Sequence, residues 1–348
     1  MRGEFFLGQK AFELRDMERP VLGKKEVLVR VAACGICGTD VHIYEGGKGS
    51  AEVHPPVVLG HEIAGVVEQT GADVTAVSVG DHVALDPNMY CNTCRACRMG
   101  KKQACSHLEA VGVTRDGGFA DYCVVPQEQC YVVDKAVPLE QAALAEPLAC
   151  CLHGIDRANI QPGSVVCVIG GGAIGLIMVQ LARLSGAATV VLSEPNAMRR
   201  EIGLQVGADL AIDPMSEDLA GRLKELTQSD GADVVIECVG NLVATQQAFE
   251  AAGSCATILL FSVPKPGSQA KLPLDDVFKK EWTIVGSLIN PDTHKRAVEL
   301  LNSGRLRLAP LITHAYPLGM LEEAIHMQMK DESIKVIVKP DMEKPMVF

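Results

Sequence analysis

The pattern of hydrophobic positions separates a β-rich region of the chain from one in which strands alternate with helices. Over residues 1–150, short runs of apolar residues, many of them β-branched, end at glycine or proline, which is typical of strands. The strands predicted there include Glu26–Ala32, Ile63–Gln69, His82–Leu85 and Tyr122–Val125. We therefore expect a β-rich first domain.

From about Ser164 the pattern becomes strand, helix, strand at intervals typical of βαβ units. Apolar residues at three- and four-residue spacing predict helices at Ala173–Leu184 and Ala197–Val206. The predicted strands are Val165–Ile169, Thr189–Ser193, Asp233–Cys238 and Thr257–Phe261. This region is therefore predicted to hold a parallel sheet covered by helices.

Beyond Trp282 the chain leaves this pattern. Two helices are predicted at His294–Leu301 and Leu321–Met329, and a strand is predicted at Lys335–Val338. We expect the last segment, residues 340–348, to form a loosely held end.

Length and composition narrow the class of protein. A chain of 348 residues is long enough for two domains, and its 48% hydrophobic but only 4% aromatic residues suit an α/β enzyme with an aliphatic core. The net charge of −11 offers no basic surface for nucleic acid or for an anionic membrane. No apolar run approaches the ~20 residues of a membrane span, so we expect neither partner.

The cysteines favour metal binding over disulfides. The chain has 13 cysteines, yet residues 1–20 are too charged for a secretion signal. We therefore expect a cytoplasmic protein, since thiols in a reducing compartment bind metals more often than they pair. Four cysteines in a C-x2-C-x2-C-x7-C pattern can close a tetrahedron around a structural zinc ion. These four are Cys91, Cys94, Cys97 and Cys105.

The other cysteines, apart from Cys37, are predicted to be small core residues. They are Cys34, Cys123, Cys130, Cys150, Cys151, Cys167, Cys238 and Cys255.

A glycine-rich turn follows the first strand of the alternating region. Gly170 allows a tight turn, Gly172 lets the backbone approach a pyrophosphate, and Gly175 lets the next helix pack closely against the sheet. Ala173 and Ile174 begin that helix, whose positive end faces the phosphates. The turn and its context predict a dinucleotide site.

Glu194 and two arginines bear on which dinucleotide binds. Glu194 lies 19 residues after Gly175, at the end of the next predicted strand. Its carboxylate can accept both ribose hydroxyls and would repel a 2′-phosphate, which favours NAD over NADP. Arg199 is a further candidate cofactor contact and leaves NADP open. Arg200 is interpreted as part of a solvated helix face.

A second candidate metal site has less distinctive spacing. Cys37 and His61 stand 24 residues apart, and Glu62 follows directly. These residue types bind zinc, and three protein ligands leave a position open for substrate. Cys34 and Cys37 also form C-x-x-C, so a redox pair is an alternative. Spacing alone leaves both interpretations open.

Several segments together resemble the zinc-dependent medium-chain dehydrogenase/reductase superfamily. They are CGICGTDVH (34–42), GHE (60–62), the four-cysteine lobe, GGFADYCVVP (117–126), EPLAC (146–150) and GGGAIG (170–175). They occur in the family's order and cover nearly the whole chain. Within the family, EPL in place of a third cysteine resembles the branch of polyol (sorbitol), threonine and 2,3-butanediol dehydrogenases.

The resemblance implies an α/β fold in which a Rossmann domain interrupts a GroES-like, β-rich catalytic domain. Residues 1–150 and 287–348 would form the catalytic domain. Residues 151–286 would form the Rossmann domain, with its doubly wound parallel sheet. The active site would lie between the domains, near the nicotinamide.

The resemblance also implies a ligand set. Cys37 and His61 match zinc ligands, and either Glu62 or Glu146 would complete the catalytic site, one at a time. Glu62 is also a candidate catalytic residue. A zinc ion there would act as a Lewis acid on an alcohol, and NAD would accept the hydride.

Two further residues match the family's proton relay. The hydroxyl of Thr39, two residues after Cys37, would begin the relay. His42 would deliver the proton to solvent, a task that suits an imidazole pKa of about 6.5.

The leading expectation is an NAD- and zinc-dependent enzyme that reversibly oxidises a secondary alcohol of a polyol or diol to a ketone. GSLINPDTH (286–294) resembles bacterial sugar-alcohol enzymes, although Ile289 stands about where animal sorbitol enzymes have an arginine. An L-threonine 3-dehydrogenase is the alternative, because SEPN (193–196) resembles its cofactor segment. A zinc-free quinone reductase or a non-catalytic zinc- or nucleotide-binding protein is a distant alternative. The family implies a homo-oligomer, either a tetramer or a dimer.

Overall fold

The computed structural model describes residues 1–47 and 51–348, which divide into two compact units. Met1–Ala149 and Asn290–Phe348 form the first unit, and Cys150–Ile289 form the second. The chain therefore leaves the first unit once and later returns to it.

The strands of the described residues are numbered in chain order. They are β1 (Arg2–Gly8), β2 (Ala11–Asp16), β3 (Glu26–Gly35), β4 (Val57–Val58), β5 (Glu62–Thr70), β6 (His82–Leu85), β7 (Asn88–Met89), β8 (Glu109–Ala110), β9 (Tyr122–Pro126), β10 (Cys130–Val132), β11 (Val165–Ile169), β12 (Thr189–Ser193), β13 (Leu210–Ile212), β14 (Ala232–Glu237), β15 (Ala252–Leu260), β16 (Thr283–Gly286), β17 (Ile312–Pro317), β18 (Lys335–Lys339) and β19 (Met346–Val347).

The helices of the described residues are numbered in the same way. They are α1 (Gly38–Tyr44), α2 (Arg95–Arg98), α3 (Leu139–Ala142), α4 (Ala145–Ala158), α5 (Ala173–Leu184), α6 (Ala197–Val206), α7 (Leu219–Thr227), α8 (Leu242–Ala251), α9 (Leu274–Lys279), α10 (His294–Asn302) and α11 (Leu321–Gln328). Short 3₁₀ turns occupy Lys102–Ala104, Gln127–Gln129, Ala309–Leu311 and Leu318–Met320. None of the helices in the described ranges is both long and apolar enough to cross a membrane.

The first unit is organised around one large sheet with the strand order β10-β6-β5-β3-β18-β17-β19, and β9 also pairs with β3. Strand β3 lies inside this sheet, so Val27, Val29 and Val31 are buried and pack with Phe119. The C-terminal strand β18 pairs antiparallel with the end of β3, where Ile337 lies opposite Gly35. The sheet thereby joins the N-terminal segment of the first unit to the segment with which the chain returns to that unit.

The second unit holds a six-stranded sheet, β13-β12-β11-β14-β15-β16, in which every pair is parallel. Its strands are nearly continuous apolar runs because helices cover both faces of such a sheet. The strand order reverses beside β11, which is the position where ligands bind in doubly wound sheets. The glycine-rich turn at Gly170 leaves β11 at this point.

The predicted elements match the structure best where the pattern is local. The bounds of β6, β11, β12, α5 and α6 are as predicted. The largest difference is at β15, which begins at Ala252 rather than at Thr257. Its early part pairs Ala252 with Ala232, and the register then shifts before Thr257 pairs with Val234. The extra residues form an irregular extension that alternation cannot reveal.

Two expectations were wrong. Cys255, predicted to be a core residue, is exposed, and its φ of 59° places it in the irregular part of β15. Cys150 and Cys238 are only half-buried. The C-terminal end is not loose, because Met346 pairs with Ala315 and the N–H of Phe348 donates to Thr313 O at 3.0 Å. Backbone pairing holds this segment although its side chains are exposed.

Candidate active site

The ends of two neighbouring strands bring Cys37, His61 and Glu62 together. Cys37 follows the end of β3 and precedes α1, while His61 precedes β5. Gly35 lies opposite Glu62 in the antiparallel β3–β5 pair. One potential ligand atom from each of the three residues lies within 4.8 Å of the others. The strand register therefore brings these three residues together, which their spacing in the sequence could not establish.

This cluster is sheltered from solvent. His61 is 6% exposed and Glu62 is 1% exposed, while Cys37 is half-buried. The cluster fits zinc, since sulfur, nitrogen and oxygen are its ligands and bonds of about 2.0–2.3 Å place neighbouring donors ~3.3–3.8 Å apart. Small side-chain shifts would bring the three donors to that spacing.

Cys34 has a different environment from Cys37. It is fully buried, its thiol lies 3.8 Å from Gly35 O, and burial raises the pKa of that thiol. A reactive cysteine needs a lowered pKa and some exposure. Both cysteines carry free thiols. The environment of Cys34 therefore does not favour the redox-pair interpretation.

Asp40 is a site residue that the sequence reasoning missed. Its Oδ2 accepts the N–H of Cys37 at 2.9 Å, and its Oδ1 lies 3.6 Å from Nδ1 of His61. Burial lowers the pKa of His61, but the charges of Asp40 and Cys37 outweigh burial and raise that pKa overall. With Nδ1 facing Asp40, Nε2 of His61 is the nitrogen available to a metal. An acidic residue in the first turn of α1 was the available sequence signal.

Lys335 is the second residue that was missed. Its Nζ donates to both carboxylate oxygens of Glu62, at 2.7 and 2.8 Å, and to Ile36 O at 3.0 Å. Lys335 is 5% exposed. Burial lowers the pKa of Lys335, but Glu62 and Cys37 raise it overall, so the ammonium stays charged. A lysine directly before three apolar strand residues was the available sequence signal.

Glu146 lies in the first turn of α4 and is 7% exposed. Among the described residues, the three-donor cluster contains Glu62 but not Glu146. The charge of Glu146 nevertheless contributes to raising the pKa values of Lys335 and Asp86. Glu146 is thus an acidic neighbour of the cluster but is not part of it.

The four cysteines of the lobe converge around α2. Sγ of Cys91 lies 3.5 Å from Sγ of Cys105 and 4.0 Å from Sγ of Cys97. A tetrahedral zinc ion with bonds of about 2.3 Å to sulfur needs separations near 3.8 Å. The backbone N–H of Cys97 donates to Cys94 and lowers the pKa of the Cys94 thiol to about 5. A zinc ion bound by all four cysteines would have no position left for a substrate.

The glycine-rich turn has the local geometry expected of a phosphate-binding turn. Gly170 has a φ of 101°, and a Cβ at Gly175 would lie 1.8 Å from Gly170 O. A Cβ at Gly172, by contrast, would meet nothing within 4 Å. Ala173 and Ile174 form the first turn of α5. Glycine is thus required at position 170 by the backbone conformation and at position 175 by packing, while Gly172 faces open space.

Glu194 is held at the end of β12 beside this turn. Its Oε2 accepts the N–H of Gly171 at 2.5 Å, and its Oε1 accepts the N–H of Asn196 at 2.8 Å. Arg200 donates to Glu194 O at 2.8 Å and to Pro195 O at 2.7 Å. The interpretation of Arg200 as a solvated side chain was wrong, because these bonds fix the segment that carries Glu194.

The remaining predicted residues lie on helices near these groups. Thr39 and His42 are both half-buried on α1, three positions apart and hence on one face. The backbone N–H of Arg199 donates to Asn196 Oδ1 at 3.2 Å, as part of the N-cap of α6. The side chain of Arg199 is half-buried.

Comparisons with known proteins identify the family. The family model described as Alcohol dehydrogenase GroES-like domain matches residues 23–135, and the model described as Zinc-binding dehydrogenase matches residues 173–303. An L-threonine 3-dehydrogenase of Symbiobacterium thermophilum is 34% identical over 339 residues, which is 95% of each chain. The chain belongs to the zinc-dependent medium-chain dehydrogenase/reductase superfamily. The resemblance seen in the sequence is confirmed.

Other members of the superfamily match over nearly their whole length. A sorbitol dehydrogenase of Halalkalibacterium halodurans is 34% identical over 96% of this chain and 97% of its own. A structure from Sinorhizobium meliloti 1021, described as a zinc-binding dehydrogenase bound to NADP, is 36% identical. It superposes with a TM-score of 0.93 and covers 97% of this chain and 99% of its own.

These findings confirm several expectations. The fold is α/β, with a GroES-like domain and a Rossmann domain. The chain is an oxidoreductase of the zinc-dependent alcohol dehydrogenase type. Zinc and a nicotinamide dinucleotide are its cofactors, and its substrate is a small molecule.

Proposed function

We propose that this enzyme reversibly oxidises a secondary alcohol of a polyol or diol to a ketone and passes the hydride to NAD. The observation that carries the proposal is the convergence of Cys37, His61 and Glu62 in a chain of this family. Their donors would hold a catalytic zinc ion, and the four-cysteine lobe would hold a structural one. When bound, the catalytic zinc ion supplies a Lewis acid that makes the alcohol more acidic.

The protein's own residues would then orient the site and remove a proton. Asp40 orients His61, and Lys335 balances the charge of Glu62. Thr39 would accept the proton of the alcohol, and His42, one turn further along α1, would pass it to solvent. The shared helix face of Thr39 and His42 supports this relay. Either Glu62, which lies in the cluster, or Glu146 would complete the ligand set.

NAD is the proposed dinucleotide because of Glu194. A carboxylate at this position accepts the ribose hydroxyls and repels a 2′-phosphate. The structure from Sinorhizobium meliloti holds NADP, so NADP is the competing candidate. Steady-state kinetics should give a kcat/KM for NAD⁺ at least about tenfold above that for NADP⁺. Glu194→Ser should narrow this ratio by weakening NAD⁺ binding, and an unchanged NAD⁺ affinity would refute the ribose contact.

Two substrate classes remain to be separated. Polyols are supported by the resemblance of residues 286–294 to sugar-alcohol enzymes and by the sorbitol dehydrogenase relative. L-threonine is supported by the L-threonine 3-dehydrogenase relatives, of which that from Pyrococcus horikoshii is 36% identical. Both substrates carry a secondary alcohol beside a polar substituent.

One screen separates them. Reduction of NAD⁺ should be followed with sugar alcohols, with vicinal diols and with L-threonine, each at several concentrations. The proposal expects turnover with a polyol or diol, and turnover with L-threonine alone would establish the alternative. A Cys37→Ser variant serves as the control, because loss of the thiolate ligand should abolish every signal.

The broader organisation is part of the same proposal. We expect residues 1–150 with 287–348 to form the catalytic domain and residues 151–286 the Rossmann domain. We also expect a cytoplasmic homotetramer or homodimer, since free thiols suit a reducing compartment. Light scattering of the purified protein measures the subunit number directly.

A further inference from the structure

The guanidinium of Arg200 is turned back from α6 onto the loop that carries Glu194. Its Nη1 donates to Glu194 O at 2.8 Å and to Pro195 O at 2.7 Å. These two carbonyl oxygens precede Asn196, the N-cap of α6, so the helix itself supplies no partner for them. One side chain therefore holds two successive peptide groups of the loop.

Arg200 is also anchored on Asp213. Nη1 of Arg200 lies 3.5 Å from Oδ2 of Asp213, and the two side chains are 22% and 26% exposed. Asp213 is itself held in a turn, because the N–H of Met215 donates to its Oδ1 at 2.9 Å and the N–H of Glu217 donates to its carbonyl oxygen at 2.9 Å. Arg200 thus links the loop to a fixed turn.

The register of the parallel sheet explains why these residues meet. In the β12–β13 pair, Ser193 lies opposite Ile212. Glu194 and Asp213 come directly after these two strands, and the N–H of Glu194 donates to Ile212 O at 3.0 Å. Arg200 therefore bridges two neighbouring strand ends.

The position of the Glu194 carboxylate depends on this loop. Oε1 accepts the N–H of Asn196, which belongs to the loop, at 2.8 Å, and Oε2 accepts the N–H of Gly171 at 2.5 Å. A carboxylate oxygen has more than one lone pair, so both oxygens can also accept a ribose hydroxyl. A movement of the loop would displace Oε1 and with it the proposed ribose contact.

The charge of Arg200 has a bearing on cofactor choice. An arginine beside the ribose site can accommodate the 2′-phosphate of NADP. The guanidinium of Arg200 is instead directed at two carbonyl oxygens, and the carboxylate of Asp213 offsets its charge. Its contacts therefore stabilise the loop conformation that presents Glu194, whose carboxylate repels a 2′-phosphate.

We propose that Arg200, anchored on Asp213, is a positioning residue that holds Glu194 for the adenosine ribose and thereby contributes to the selection of NAD over NADP. This inference rests on the proposed function, in which Glu194 accepts the ribose hydroxyls.

The test is the affinity of the holoenzyme for NADH and, separately, for NADPH, each measured by fluorescence titration. Arg200→Met removes the guanidinium but keeps an unbranched side chain. The Kd for NADH should rise by about tenfold, as expected for lost hydrogen bonds of ordinary strength. The Kd for NADPH should not rise, because a 2′-phosphate makes no use of Glu194. The KM for NAD⁺ should rise as well, whereas kcat should not fall.

Two further variants show that the effect belongs to this position. Arg200→Lys keeps a cation that can donate to the loop carbonyls and should recover most of the NADH affinity. Arg183 is a matched control, since it donates to Gly207 O at 3.0 Å and to Ala188 O at 2.9 Å and pairs with Asp209 beside the opposite end of β13. Arg183→Met should lower the melting temperature to a similar extent and leave both Kd values unchanged.

A double variant shows whether Arg200 acts through Glu194. Arg200→Met should weaken NADH binding much less in the Glu194→Ser background than in the wild type, because the group that Arg200 positions is already absent. Asp213→Asn removes the anchor of Arg200 without removing its side chain. It should narrow the ratio of NADPH to NADH Kd values by a smaller factor, and it tests the proposal even if Arg200→Met does not fold.

The role of Arg200 would be overturned by a wild-type ratio of the two Kd values in Arg200→Met or in Asp213→Asn. A further tenfold loss of NADH affinity on adding Arg200→Met to Glu194→Ser would also overturn it, since Arg200 would then act independently of Glu194. Failure of the proposed function is recognised separately. In that case the wild type would bind NADPH more tightly than NADH, or Glu194→Ser alone would leave NADH affinity unchanged.

Discussion

Nδ1 of His61 lies 3.6 Å from Oδ1 of Asp40, and both side chains are buried. Asp40 also accepts the N–H of Cys37 through its second carboxylate oxygen, at 2.9 Å. One carboxylate therefore contacts two of the candidate zinc ligands. A group that fixes the far nitrogen of a ligating histidine also fixes its tautomer and its ring orientation.

Asp40→Asn should weaken the catalytic zinc site and spare the structural one. The amide can still accept the N–H of Cys37, but it loses the negative charge that faces His61. We expect zinc affinity at this site to fall by roughly 10- to 100-fold. Metal analysis after dialysis against a weak chelator should find one zinc ion per chain in place of two.

A matched control is Asp81→Asn, since Asp81 accepts the N–H of Ser78 in an exposed turn. It should retain both zinc ions. Full zinc retention in Asp40→Asn under the same dialysis would show that Asp40 has no part in metal binding.

Cys97→Ser should remove the structural zinc ion without disturbing the Cys37–His61–Glu62 cluster. Replacing one of four thiolates opens a site that needs all four. We expect the zinc content to drop by one ion per chain and the melting temperature to fall, since the bound metal stabilises the folded lobe. Cys255→Ser, at an exposed cysteine outside both clusters, should change neither quantity. Two zinc ions in Cys97→Ser would show that Cys97 is not a required ligand of the structural zinc ion.

The two halves of the site differ in how much of them the sequence could predict. Strand, glycine turn, helix and Glu194 lie within residues 165–194, so local patterns predicted them with correct bounds. Cys37 and His61 meet only because Gly35 pairs with Glu62 across two strands, and spacing does not encode that register. Lys335 reaches Glu62 across 273 residues of sequence. Only the folded sheet could show that contact.

Thr39→Val should slow alcohol oxidation while leaving cofactor and zinc in place. The change removes the hydroxyl that begins the proposed relay but keeps the β-branched shape. A lost proton-transfer group costs about 10²- to 10⁴-fold in kcat. Dinucleotide binding, measured by fluorescence titration, and zinc content should match the wild type. Thr39→Ser keeps the hydroxyl and should retain most of the activity, whereas equal rates for the Val variant and the wild type would exclude Thr39 from the relay.

Asp86 is a buried carboxyl that should make stability depend on pH. Burial raises its pKa from 3.8 to about 7, although the N–H of Asn88 and the side chain of Asn290 donate to it and lower that pKa in part. These bonds measure 3.0 and 3.2 Å. At pH values between the ordinary pKa of 3.8 and the raised pKa of about 7, the folded state keeps a proton on Asp86 that the unfolded state has lost. Stability should therefore fall as pH rises through this range and level off above it.

Asp86→Asn should abolish this contribution, because an amide does not titrate. Relative to the wild type, the variant should become more stable as the pH rises from 5 to 8. The gain in unfolding free energy should be roughly 1.4 kcal/mol for each unit of the raised part of the Asp86 pKa that falls within this pH range. The measurement is the difference in unfolding free energy between the two proteins across this range, with excess zinc present. Asp341→Asn, at an exposed carboxyl, should show a difference that does not vary with pH. A constant difference for Asp86→Asn would place the pKa of Asp86 near its ordinary value, and the buried carboxyl would then be ionised throughout.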